Sequence, residues 1–165
     1  MKNAVSILIL TTIFCISCNF SKGVKKDLKT GLTYSYNGFK VENVVALDSY
    51  QKALSTNKMT EGSGLYLLMS NVENYTTVDG KVFFGCSLKV TDAEGNVVFS
   101  NDDLYKDTGG IDINNAHNPI VSVRLANPIV AGKTYMVETH FYDKKKPENV
   151  IDTKIEVELT SSLVN

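Results

Sequence analysis

From Leu32 onward, apolar residues recur at every second position, which sharply limits the folds open to this chain. Leu32, Tyr34 and Tyr36 alternate with polar neighbours, as do Val121, Val123 and Leu125. Tyr135, Val137, Thr139 and Phe141 follow the same rule, and so do Ile155, Val157 and Leu159, whose opposite face is Lys154, Glu156 and Glu158. A period of two is the repeat of a strand with one buried face, and no stretch shows the 3.6-residue period of a long amphipathic helix. Residues 65–72 are apolar on both faces, Leu65, Leu67 and Met69 on one and Tyr66, Leu68 and Val72 on the other, as suits a central strand. Seven or eight strands separated by turn chemistry predict an all-β, antiparallel β-sandwich.

The turns are written in the same local code. Asn37-Gly38 between two alternating runs predicts a tight hairpin, because a type I′ turn needs positive φ at both central positions. That register sets Tyr36 opposite Phe39 and Tyr34 opposite Val41. Gly95 in Asp92-Ala93-Glu94-Gly95-Asn96 fits the left-handed residue that closes a longer hairpin. Residues 48–63 are irregular, with one helical turn over Tyr50, Ala53 and Leu54 after an Asp48 or Ser49 cap. Residues 101–119 read as a long polar connection, and Lys144-Lys145-Lys146-Pro147 as an exposed turn.

The N-terminus carries a different signal. Lys2 and Asn3 precede an apolar run over 4–16 interrupted by Ser6, Thr11 and Thr12. As a helix it spans roughly 20 Å at about 1.5 Å per residue, short of a bilayer core about 30 Å thick. A secretory signal fits better than a membrane span. The run ends in Cys15-Ile16-Ser17-Cys18, and short side chains before a cysteine at this place resemble the lipobox of bacterial lipoproteins. The resemblance implies cleavage before Cys18 and a diacylglycerol on its sulfur. It implies a signal peptide over 1–17, a lipidated Cys18 with a flexible tether over 18–29, a sandwich over 30–160 and a tail over 161–165. A signal cut without lipidation is the competing reading, though no A-x-A pattern precedes a cut. In known lipoproteins an Asp after the cysteine favours inner-membrane retention, and an early acidic run resembles a surface-export signal. Here Asn19 follows Cys18 and no acid comes before Asp27, which implies the outer membrane, facing the periplasm.

Gly132-Lys133-Thr134-Tyr135 resembles the tyrosine corner of Greek-key immunoglobulin-like sandwiches, in which a tyrosine after a turn bonds back to the chain. The chain has no Trp and no paired cysteines to accompany it, so the resemblance is to the broad class and not to antibody-type domains. The apolar central strand, the Asp92 to Gly95 hairpin and the late G-K-T-Y and D-K-K strands are similar to single-domain lipoproteins of Bacteroidota envelopes. That family brings no activity with it.

Removing 17 residues from 165 leaves 148, enough for one domain with a core of its own. The mature chain has 16 basic and 18 acidic side chains, a balance that offers nothing to nucleic acid. Once Cys15 has left and Cys18 is lipidated, Cys86 remains as the free thiol; its strand neighbours Leu88 and Val90 mark it as a buried apolar residue.

Candidate chemistry is sparse. Cys86 with His117 or His140 is a conceivable thiol nucleophile, but no motif surrounds either histidine. Glu138 and His140 share one strand face and make half a metal site. Asp102, Asp103, Asp107 and Asp112, with Asn101 and Asn114, put oxygen ligands on one loop as calcium sites do, without EF-hand spacing. The eight tyrosines are candidates for a sugar-stacking face. No P-loop, G-x-S-x-G or H-E-x-x-H pattern occurs, and no cofactor is implied. The expected role is a non-catalytic envelope lipoprotein that meets a protein partner through loops or an edge strand. The alternative is a glycan- or calcium-binding module.

Overall fold

A computed structural model describes residues 21–161 of the chain. Its strands are β1 (Lys22–Lys26), β2 (Thr33–Asn37), β3 (Asn43–Leu47), β4 (Lys58–Thr60), β5 (Gly64–Ser70), β6 (Thr77–Val78) and β7 (Lys81–Val82). They continue as β8 (Phe84–Asp92), β9 (Val97–Asn101), β10 (Ile111–Asp112), β11 (Ile120–Arg124), β12 (Thr134–Asp143) and β13 (Lys146–Thr160). No helix among the described residues is long and apolar enough to cross a membrane.

Two layers enclose the core. The large sheet has the antiparallel order β1-β2-β13-β12-β8-β9, with β4 laid parallel to the end of β13. The small sheet is β11-β5-β3, so residues 65–69 do form a central strand. The β10-β7-β6 ribbon closes one end. Alternation sends Tyr135, Val137, Thr139 and Phe141 of β12 inward, beside Ile151, Thr153, Ile155, Val157 and Leu159 of β13. Leu65, Leu67 and Met69 meet them from the small sheet, and Cys86, Leu88 and Val90 from β8. At one end Phe141 touches Phe39 and Phe84 at centroid separations of 5.7 and 4.9 Å, with Tyr75 closing the cluster at 6.5 Å.

The tyrosine corner is present. Buried Tyr135 accepts a hydrogen bond from the Val130 amide at 3.0 Å and reaches back to the Val130 carbonyl at 3.5 Å. The β8–β9 hairpin is also as expected: Gly95 has φ +89°, and the Asp92 carboxylate accepts from the amides of Glu94 and Asn96.

Other expectations are corrected. Asn37-Gly38 is no hairpin turn, since only Gly38 of the two has positive φ, +74°. β2 pairs instead with β1 and β13, and the chain crosses at Gly38 to the small sheet, carrying Phe39 into the aromatic cluster. Any side chain at Gly38 would strike Asn149, whose Oδ1 lies 2.0 Å from the place a Cβ would take. The segment expected as a tether over 18–29 forms β1 from Lys22, so the sandwich begins before residue 30. Strands outnumber the expected seven or eight because short ones lie in stretches read as loop or tether. After β3 no helical turn forms: the Asp48 carboxylate accepts from the amides of Tyr50 and Lys52, Gln51 adopts φ +59°, and Ala53 bridges to Leu47. The signal peptide over 1–17, the lipid site Cys18 and residues 162–165 of the tail lie outside the described residues.

Candidate functional site

The acidic loop does not assemble a cation site. Among the described residues no group of three His, Cys, Asp or Glu is placed to hold a metal ion. Asp103 faces the protein instead, where its carboxylate accepts from the amides of Cys86 at 3.0 Å and Tyr105 at 2.9 Å and pairs with Lys144 at 2.7 Å. Burial works against that charge, but the Lys144 bond and the two amides outweigh it and hold the carboxyl below its ordinary range. Asp112 accepts from the Asn114 amide and caps the short 3-10 helix Ile113–Asn115. Asp102 is exposed on the turn beyond β9, and Asp107 lies further along the same connection. Asp103 and Asp112 are engaged by separate partners, and the four carboxylates gather into no cation-holding group among the described residues.

Cys86 faces the core, and burial pushes its thiol up to about 12. A thiol so far from its thiolate is a poor nucleophile at neutral pH. His140 lies on the other face of the sheet, its Nδ1 2.6 Å from the Asp152 carboxylate, so these two residues form no pair. His117 sits in the connection before β11, its carbonyl accepting from the Val72 amide.

Glu138 and His140 do share the outward face of the large sheet, over an open depression of about 540 Å³. Each is already engaged by a neighbouring strand. Glu138 lies between Lys89 at 2.8 Å and Lys154 at 3.4 Å, and the Lys89 bond leads in holding its carboxyl low despite some burial. His140 also stacks on Tyr142 at 5.5 Å. These are cross-strand pairs of the kind that fix sheet register, each of modest value.

The tyrosines do not gather into a platform. Tyr34 and Tyr135 are buried, while Tyr75 and Tyr105 pack beside Phe84. Tyr36, Tyr142 and Tyr66 lie across glycines: a Cβ on Gly23, Gly85 or Gly64 would fall 2.7, 2.4 or 2.8 Å from the tyrosine covering it. Aromatic rings laid over strand glycines restore the contact a glycine lacks.

The two edges of the large sheet differ in a way that bears on partners. β1 presents Lys22, Lys25 and Lys26, the residues that discourage a further strand from pairing. β9 has no such defence: Val97 is 57% and Phe99 40% exposed, and no strand among the described residues pairs with its outer side. Beside β9 runs a groove of about 280 Å³, lined by Leu88, Phe99, Leu104, Val123, Pro128 and Ile129 among others. An open strand next to an apolar groove offers backbone hydrogen bonds for affinity and pockets for alternate side chains. The sequence marks residues 97–99 as a strand but cannot show that they form an edge of the sheet among the described residues.

No protein-family model and no curated protein matches the sequence. Among solved structures, the crystal structure of the C-terminal domain of Wzt is similar, with a TM-score of 0.52 at 10% sequence identity, covering 86% of this chain and 80% of that one. At that identity the likeness shows the fold alone: the described chain is an immunoglobulin-like antiparallel β-sandwich.

Proposed function

We propose that this chain is a non-catalytic envelope lipoprotein, held by lipid on Cys18 at the periplasmic face of the outer membrane, that grips an extended segment of a protein partner along β9. The lipobox-like Cys15-Ile16-Ser17-Cys18 supports the anchor. The observation that carries the binding mode is the contrast of edges, lysines on β1 against exposed Val97 and Phe99 over an apolar groove on β9. Natural sheets commonly defend their edges, so an undefended one beside a groove is a docking feature or an aggregation hazard.

A photo-activated cross-linker placed at Val97 in intact cells will yield one stoichiometric protein adduct, while the same probe at Val24 on β1 will yield none. With the probe kept at Val97, Phe99→Lys will abolish that adduct while the protein still unfolds in one cooperative transition, because Phe99 lies at the groove's rim and is 40% exposed. Equal adducts at both edges, or none at Val97, contradict the binding mode.

A further inference from the structure

We infer that the end of the sandwich carrying Lys22 and the Lys144-Lys145-Lys146 turn rests on the anionic lipid headgroups of the bilayer, with the strands of the large sheet directed away from it. The inference depends on Cys18 being the lipid anchor, as proposed above.

Strand register sets the direction. Asn37 of β2 pairs with Lys22 on one side and with Val150 on the other, so those two residues stand level. β1 and β13 both run antiparallel to β2 and therefore parallel to each other. The part of β13 preceding Val150 thus projects past Lys22 on the side from which the N-terminal chain arrives, and the β12–β13 turn is its tip. Opposite lie the β1–β2 turn with Leu28 and the β8–β9 turn with Asp92 and Glu94.

Chain length then sets the distance. Three Cα steps separate Ser21 from Cys18, and at a reach of about 3.3–3.6 Å each they extend no more than about 11 Å. A lipid on Cys18 therefore holds Lys22, one step further on, within about 14 Å of the headgroup region, less than two screening lengths of about 8–10 Å. The β12–β13 turn at this end carries the charge that suits that contact. Lys22, Lys145 and Lys146 are exposed, Lys145 lying over the Phe83 ring at 4.8 Å. Lys40 is paired with Glu73 and Lys144 with Asp103, Glu148 is the exposed acid of the β13 segment, and the adjoining ribbon adds exposed Asp79 and Asp112 with Lys81 opposite Asp112, so the basic surface is the turn itself. The mature chain has a slight acidic excess, so its net charge does not draw it to lipid. Once it is anchored, the local lysines decide which way it faces.

The absence of tryptophan from the chain gives a clean test. Glu148→Trp places one fluorophore at the lysine end without removing a lysine, and Leu28→Trp, at a position 89% exposed, places one at the far end. Each lipidated protein is incorporated into vesicles of phosphatidylethanolamine and phosphatidylglycerol with brominated acyl chains, which quench at about contact range. The Trp at 148 will be quenched several-fold more strongly than the Trp at 28, and Lys145→Glu with Lys146→Glu will lessen that difference. Equal quenching at both sites, or none at 148 in protein that floats with the vesicles, overturns the orientation. Protein that fails to float overturns the anchor itself.

Discussion

A Phe141→Ala protein will be about 3–5 kcal/mol less stable than the parent, the cost typical of emptying a large aromatic site in a core. Phe141 is fully buried on β12 and joins the two layers, touching Phe84 of the large sheet and Phe39 just past the crossover at Gly38. Three aromatic neighbours cannot all close onto an alanine, so a cavity remains and adds to the lost transfer energy. Domains of this size have about 5–15 kcal/mol in all, so the melting temperature will fall by roughly 10 °C. Urea unfolding should show a lower midpoint at an unchanged slope. Phe141→Leu, which fills part of the space, will lose less. A loss under about 1 kcal/mol for the alanine variant would mean the cluster is looser than described.

Asp103→Ala will cost about 2–4 kcal/mol by a different route, that of polar groups left without a partner. The substitution strips the Cys86 and Tyr105 amides of their acceptor and leaves Lys144, only 28% exposed, with the Tyr105 carbonyl alone. Asp103→Asn keeps an acceptor for the amides and will lose less. The pH dependence has a defined sign. The folded carboxyl is held low, so its contribution is complete above the unfolded value of about 3.9 and drains away as pH falls through the folded value. Parent and Asp103→Ala stabilities should therefore converge on acidification below about pH 4 and stay apart at neutral pH. A constant gap across that range would remove the charge from the explanation.

The features legible in the sequence were those written over a few neighbouring residues. The inward rows of β12 and β13, the Asp92 to Gly95 hairpin and the Tyr135 corner each depend on contacts within a turn or on simple alternation. Features decided by distant partners were not legible. Asn37-Gly38 has the composition of a hairpin, but β2 finds better partners in β1 and β13, and the glycine serves a crossover. β1 reads as a tether because the lysines that protect a sheet edge also make a solvated linker. Asp103 reads as a loop acid because its partners Cys86 and Lys144 lie 17 and 41 residues away in sequence. The open side of β9 is a property of the whole sheet, invisible to any local pattern.

The most direct test of this account is the mass of the amino-terminal peptide from protein purified out of bacterial envelopes. The prediction is a chain starting at Cys18 with a diacylglycerol on its sulfur, and a Cys18→Ser protein that no longer sediments with membranes. A start at any other residue, or a Cys18 with an unmodified thiol, would contradict it.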